Sequence, residues 1–281
     1  MAIVTSQQII RYYNQFKQIE VTFNKNITSA IGFLPRESYL KCGDDHWPCI
    51  VYSISMTGAK VIVNNKIKFS EKLKATNNLV NLRLSFEQKE NSQPITFFVS
   101  SKVVGSTPYG QENPTVSFLT LEYTHRPPDT LIETLGTLLE ASITAHKRKE
   151  QRIVINEKIL HYLKLKENNT LIYIQKVPRK CILRDLSFSG AKVILMGVAK
   201  FLLNKQVEIK IEFEDPLEQF VIPGQIVRYE PVEGRKDIGA FAIHFDEKAI
   251  PLGYKMRLNE FLKSSIAKNI ETAGPDAGEK N

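Results

Sequence analysis

Two arginines four residues apart, Arg148 and Arg152, form an R-x-x-x-R pattern with the chemistry to hold an anion. The planar guanidinium group can bind a phosphate or the acceptor edge of a guanine through two parallel hydrogen bonds, and it can stack on a purine face. A second pattern, D-x-S-x-x-G, follows at Asp185, Ser187 and Gly190 and adds a carboxylate and a hydroxyl. These residue types suit a ligand that carries phosphate and purine groups.

The two patterns differ in specificity. Given the arginine content of the chain, R-x-x-x-R is expected by chance about 0.4 times, whereas D-x-S-x-x-G, with Asp or Asn in first place, is expected about 0.08 times. Their order, and the strand–turn–strand context of the second, make the pair a strong signal. Two plainer interpretations stay open: a solvated basic linker for Arg148 and Arg152, and for Asp185 a turn residue that binds nearby backbone N–H groups.

The elements that must position these residues occur twice. The segment SISMTGAKVIV at 53–63 is matched by DLSFSGAKVIL at 185–195, so that Gly58 corresponds to Gly190. Each copy continues through several short β-rich segments and then a segment with helical periodicity. The chain is therefore predicted to be mainly β, with two antiparallel β-barrels, each followed by a C-terminal helix.

We expect an additional helix at the N-terminus, over residues 6–18, with Ile9, Ile10, Tyr13 and Phe16 facing inward. The predicted domains are an N-terminal domain at 1–140, an interdomain linker at 141–152 that carries R-x-x-x-R, a C-terminal domain at 153–268 and a disordered tail at 269–281.

From about Lys147 to Ala267 the second copy resembles the PilZ domain, a family of small β-barrels that receive cyclic di-GMP. The resemblance is carried by R-x-x-x-R, by D-x-S-x-x-G, and by the later strand-like segments at 224–232 and 238–245. The pairing with an N-terminal copy is similar to the two-domain PlzA-like and YcgR-like receptors. The 32 residues between Arg152 and Asp185 are more than the family usually has, which predicts lengthened first strands.

The resemblance implies a set of residues that bind cyclic di-GMP: Arg148, Arg152, Asp185, Ser187 and Gly190, with Lys147 and Ser189 as further candidates. Asp185 would accept hydrogen bonds from a guanine edge, and Ser187 would offer its hydroxyl. Gly190 would either adopt a φ unavailable to other residues or let the ligand and the backbone approach each other closely. Lys147 occupies the position thought to influence whether one ligand or an intercalated dimer is bound.

The first copy lacks these groups. Ser53 stands where the second copy has Asp185, and no R-x-x-x-R occurs in residues 1–52. We therefore expect a degenerate N-terminal PilZ-like domain that does not bind the nucleotide in this way.

The predicted function is that of a non-catalytic receptor or effector in motility regulation. Binding of cyclic di-GMP at the linker and the C-terminal barrel would change the arrangement of the two domains and signal to a downstream protein. None of G-x-S-x-G, H-E-x-x-H, G-x-G-x-x-G, a P-loop, GGDEF or EAL occurs, and the five histidines show no ligand spacing. We expect no catalysis, no cofactor and no metal.

The net charge of +8 favours an anionic partner and keeps a rival function open, a basic nucleic-acid-binding protein. A second rival is a ligand-independent adaptor for protein interactions, such as a flagellar brake. Three unpaired cysteines, and a start without a signal sequence or long apolar run, predict a reduced, monomeric cytoplasmic protein without membrane insertion.

Overall fold

A computed structural model of the chain describes residues 4–64, 67–88, 93–109, 116–166, 170–196, 199–232 and 234–264. The expected tail at 269–281 lies outside these residues. The chain divides into two compact units, one that ends at Leu139 and one that begins at Glu140. Helix α4 crosses this division, and its last residues, 141–147, coincide with the first part of the expected linker.

The first unit contains a closed antiparallel barrel. Strand β3 pairs with β2 on one side and β4 on the other, and the ladder β2-β5-β6-β7-β4 completes a ring of six strands. In chain order the elements are α1 (Ser6–Phe16), β1 (Val21–Thr22), α2 (Lys25–Ala30), a 3-10 turn (Pro35–Glu37), β2 (Tyr39–Cys42), β3 (Asp45–Ile54), β4 (Gly58–Asn64), α3 (Ile67–Ala75), β5 (Leu79–Phe86), β6 (Ile95–Pro108), β7 (Val116–Tyr123) and α4 (Asp129–Lys147).

The second unit contains an eight-stranded antiparallel sheet in the order β10-β9-β13-β14-β15-β12-β11-β8. Strand β10 lies at one end of this order and β11 lies next to the other end, yet only Cys181 separates them in the chain. This short connection brings the two sides of the sheet together. The elements are β8 (Ile153–Val154), α5 (Glu157–Leu163), β9 (Leu171–Ile174), β10 (Val177–Lys180), β11 (Ile182–Leu186), β12 (Gly190–Met196), α6 (Ala199–Leu202), β13 (Gln206–Phe213), β14 (Glu218–Val232), β15 (Arg235–Phe245) and α7 (Leu252–Lys263). The predicted fold class is confirmed.

The duplication extends further than the sequence pattern indicated. The side chains of Asn24 and Asn156 cap α2 and α5. Each accepts a hydrogen bond from the backbone N–H three residues later in the chain, at 3.0 and 2.9 Å respectively. Strands β1 and β8 then pair with equivalent parts of β3 and β11. The expectation of lengthened first strands after Arg152 was wrong, because the extra residues form α5, and the first unit has the same helix as α2.

The core of the second unit follows from alternation along its strands. In β13, Val207, Ile209 and Ile211 are buried, while Glu208 between them is exposed. Each fully buried side chain of this size stabilises the fold by roughly 1.5–3 kcal/mol relative to exposure. Helix α7 packs Tyr254 and Leu258 into the same core, which fixes the strands that carry the candidate site.

Helix α1 forms as predicted, but its buried face differs. Ile9 and Phe16 are buried, whereas Ile10 is 53% exposed and Tyr12, at 1%, is buried instead. A Cβ atom on Gly136 of helix α4 would lie 2.3 Å from the Tyr12 ring, so the glycine makes the space that this ring fills. The buried position of Tyr12 therefore depends on Gly136, a residue more than a hundred positions away in the sequence.

Candidate functional site

Arg152 and Asp185 lie side by side in the second unit. Arg152 immediately precedes β8, which pairs with β11 so that Val154 is the partner of Asp185. The Nη1 atom of Arg152 donates to Oδ1 of Asp185 at 2.7 Å, and the side chains are 41% and 13% exposed respectively. Two residues that the sequence placed 33 positions apart thus form one charge-assisted hydrogen bond, with the guanidinium still partly open to solvent.

Arg148 and Lys147 lie at the end of helix α4. Lys147 is the last helical residue, and the Arg148 amide donates to the Thr144 carbonyl at 2.8 Å, which continues the helical pattern. Both side chains are exposed, and Arg148 Nη1 lies 3.5 Å from Oε1 of Gln151. The first arginine therefore extends from a helix end into solvent, while the second is held on the barrel.

The segment from Arg148 to Arg152, which we call the arginine arm, is fastened to its own barrel. The Ser189 hydroxyl lies 3.1 Å from the Lys149 carbonyl and 3.2 Å from a Glu150 carboxylate oxygen. Lys149 also forms an ion pair with Glu247, which raises the pKa of Lys149, and the same hydrogen bond lowers the pKa of Glu247. Ser189 is only 3% exposed, so its hydroxyl forms hydrogen bonds within the protein rather than with solvent.

Ser187 occupies the turn between β11 and β12. Its amide and hydroxyl both donate to the Gly190 carbonyl, at 2.8 and 3.2 Å. Its own carbonyl accepts a hydrogen bond from the Tyr254 hydroxyl at 2.8 Å. Burial, with a smaller effect from the Asp185 charge, raises the pKa of Tyr254. Ser187 is 1% exposed, so it lies beneath the surface, where its hydrogen bonds hold the turn that follows Asp185.

Gly190 is required by the approach of two strands. A Cβ atom on it would lie 2.3 Å from the carbonyl oxygen of Ile243 on β15, and Gly58 shows the same 2.3 Å distance to Leu121 in the first unit. The expectation of an unusual φ was wrong, because Gly190 does not lie in the left-handed region. The other expectation was a close approach between ligand and backbone, whereas the group that the structure shows beside Gly190 is the backbone of the neighbouring strand.

A row of cross-strand partners extends the site beyond the predicted residues. Asp185 is opposite Lys192, Lys192 is opposite Ala242, and Ala242 is opposite Arg228. The adjacent residues Leu186, Ala191 and Ile243 face the core, so the row lies on the outer face of the barrel. Sequence reasoning missed Lys192 because both copies contain it, and missed Arg228 because a β-bulge after Ile226 sets the face on which it lies.

The first unit has the opposite charge at the equivalent place. Ser53 in the first copy corresponds to Asp185 in the second, and by the same offset Glu20 corresponds to Arg152. The Ser53 hydroxyl donates a hydrogen bond to the Glu20 carboxylate. Ser53 and then Lys60, at 3.0 Å, lower the pKa of Glu20, which is therefore ionised at neutral pH. A depression of about 300 Å³ here is lined by Glu20, Lys60 and Glu122, and two carboxylates disfavour a phosphate.

Two family models match the chain in succession. Residues 7–142 match the PilZN3 domain and residues 146–263 match the PilZ domain. A Treponema denticola protein named "Cyclic di-GMP binding protein" is 46% identical over 261 residues, which cover 93% of this chain and 83% of that protein. The chain belongs to the PilZ family. The resemblance seen in the sequence is confirmed, and the arginine arm lies at the start of the matched PilZ domain.

Two solved structures are similar to the chain. The Borreliella burgdorferi PlzA protein in complex with c-di-GMP is 24% identical, with 91% of this chain and 98% of that chain covered and a TM-score of 0.42. Escherichia coli YcgR in complex with c-di-GMP is 11% identical, with 96% and 99% covered and a TM-score of 0.31.

Two features are absent from the residues that the structure describes. Within that part of the chain, no group of three or more His, Cys, Asp or Glu side chains is arranged to hold a metal ion. None of the helices described is both long and apolar enough to span a membrane.

Proposed function

We propose that this PilZ protein is a non-catalytic receptor for cyclic di-GMP, with its binding site on the outer face of the C-terminal barrel. The site consists of Arg148, Arg152 and Asp185, with Ser187 and Gly190 supporting the strand and turn that hold Asp185. Lys147 lies at the edge of the site, and Ser189 fastens the arginine arm. The proposal is supported by family membership and by the Treponema denticola relative, whose name describes binding of this ligand.

One observation carries the proposal: the contact between Arg152 and Asp185 at 2.7 Å. It sets a guanidinium donor beside a carboxylate acceptor at the barrel surface. Arginine can bind the O6 and N7 edge of guanine or a phosphodiester, and a carboxylate can accept from the guanine N1–H and N2–H₂ groups. A cyclic dinucleotide presents all of these groups within one compact molecule.

The test is calorimetric titration of the full chain with cyclic di-GMP. Arg148→Ala and Arg152→Ala should each weaken binding about tenfold to a hundredfold, the value of a charge-assisted hydrogen bond. Arg235→Ala is the matched control, because this exposed arginine is paired with Asp237 on a distant part of β15 and should leave affinity unchanged. Equal affinity in all four proteins would refute the proposed site.

The proposed output is a change in the arrangement of the two units that a downstream protein detects. Helix α4 crosses the division between the units and ends where the arginine arm begins. A ligand that pulls Arg148 toward the barrel would act directly on the end of this helix. Small-angle scattering profiles that are identical with and without cyclic di-GMP, under saturating conditions, would contradict this output.

A further inference from the structure

Two cations in the exterior row hold one carboxylate between them. Nζ of Lys192 lies 2.5 Å from Oε2 of Glu230, and Nη2 of Arg228 lies 3.1 Å from Oε1 of the same residue. Each cation thus binds a different oxygen, as two donors would bind two oxygens of a phosphate. Lys192, followed by Arg228 and Arg152, lowers the pKa of Glu230.

The row has the dimensions of a surface for a compact dinucleotide. Adjacent strands are about 4.8 Å apart, so the three steps from Asp185 to Arg228 span roughly 14 Å. The residue between Lys192 and Arg228 in the row is Ala242, which is 6% exposed. Its short side chain does not project between the two cations. Arg228 is 61% exposed and can turn toward a ligand without leaving its strand.

The first unit lacks this arrangement. The corresponding row there runs from Ser53 through Lys60 and Thr120 to Gly105, so the lysine is retained while the arginine is replaced by glycine. Arg228 therefore belongs with Arg152 and Asp185, the groups that distinguish the second copy. Lys192, in contrast, has an equivalent in the first copy, Lys60.

We infer that Arg228, with Lys192, receives one phosphodiester of the ligand and that Glu230 is an internal anion that occupies this place until the ligand arrives. This inference rests on the proposed function and adds a third arginine and a competing carboxylate to its site. Binding exchanges one anion for another, because the two cations leave the Glu230 oxygens for the phosphate oxygens. Glu230 then lowers the affinity for the ligand, through competition for the cations and repulsion of the incoming charge.

Replacing Arg228 and replacing Glu230, two residues apart on β14, should change the affinity for cyclic di-GMP in opposite directions. Arg228→Ala should weaken cyclic di-GMP binding about tenfold, because an exposed charge-assisted contact is lost. Glu230→Gln keeps the shape of the side chain and should tighten binding about threefold to tenfold, the value of releasing one or two exposed ion pairs. Both residues are solvent-exposed, so the fold should tolerate the changes.

The same β14–β15 hairpin offers matched controls. Arg235 and Asp237 form an ion pair in which Nη2 and Oδ2 lie 2.9 Å apart, and Arg235 is seven residues along β15 from Ala242, about 23 Å in an extended strand. Arg235→Ala and Asp237→Asn repeat the two charge changes away from the row and should leave the affinity as it is in the unmodified protein.

Calorimetric titration of these four variants, with the unmodified chain and Arg152→Ala as references, gives distinguishable outcomes. An unmodified chain that does not bind cyclic di-GMP refutes the proposed function and this inference together. Binding that Arg152→Ala weakens but Arg228→Ala and Glu230→Gln leave unchanged overturns the inference alone. Weaker binding by Glu230→Gln also overturns it, because the carboxylate would then contact the ligand rather than compete with it.

Discussion

Replacing Gly190 by alanine separates a scaffold role from a ligand role for the last residue of D-x-S-x-x-G. The structure places the new methyl group 2.3 Å from the Ile243 carbonyl oxygen. The first unit provides an internal control, because Gly58→Ala meets the Leu121 carbonyl oxygen at the same distance in a copy without the binding groups.

The magnitude follows from the overlap. A carbon atom and a carbonyl oxygen are comfortable at about 3.5 Å, so strands β12 and β15 must separate by roughly an ångström or shift in register. Overpacking of this kind costs about 1–3 kcal/mol, and the reduced freedom of the unfolded alanine chain returns only about 0.4–1 kcal/mol. We expect each variant to lower the free energy of unfolding by about 1–2 kcal/mol.

Urea denaturation with two probes measures both effects. Trp47 is the sole tryptophan of the chain and lies on β3, so its fluorescence reports the first unit, while far-ultraviolet circular dichroism reports both. Gly58→Ala should shift the fluorescence transition to lower urea, and Gly190→Ala should shift the dichroism transition. Unchanged stability of Gly190→Ala, combined with lost ligand binding, would refute the reasoning and assign Gly190 to the ligand.

Three further predictions concern single side chains. Arg152→Ala should lower the free energy of unfolding by about 1 kcal/mol, because the Asp185 carboxylate loses its cation, whereas exposed Arg148→Ala should change it by less than about 0.5 kcal/mol in urea denaturation. Tyr254→Phe removes the hydrogen bond to the Ser187 carbonyl and should cost about 1 kcal/mol in the same assay. Burial raises the pKa of Cys49 and Cys181 to about 12, so a thiol-specific chromogenic disulfide should react slowly with both at pH 8 until urea unfolds the chain. Fast reaction of the native protein would contradict that burial.

Local patterns were enough to predict the duplicated scaffold. The strand-like segments expected at 224–232 and 238–245 lie within β14 and β15, and Gly58 and Gly190 have equivalent places because the same tight approach of strands occurs twice. The buried face of α1 was predicted less well. Ile10 and Tyr13 were expected to face inward, whereas Ile10 is exposed and Tyr12 is buried in the space beside Gly136 of a distant helix.

The candidate site was predictable only in part. Arg152 and Asp185 belong to recognisable motifs, and the pairing of β8 with β11 brings them together. Arg228 and Glu230 belong to no motif, and their position depends on the bulge in β14 and on the register of three strands. The alternation of a strand does not reveal where one residue is inserted into it, so this part of the site appears only in the folded structure.

The most direct test of the central claim compares Arg152→Ala with Glu20→Gln, which alter equivalent positions of the two copies. Calorimetric titration with cyclic di-GMP should show binding weakened about tenfold to a hundredfold by Arg152→Ala and unchanged by Glu20→Gln. Full affinity in Arg152→Ala, or a loss in Glu20→Gln, would contradict the assignment of the ligand to the C-terminal barrel.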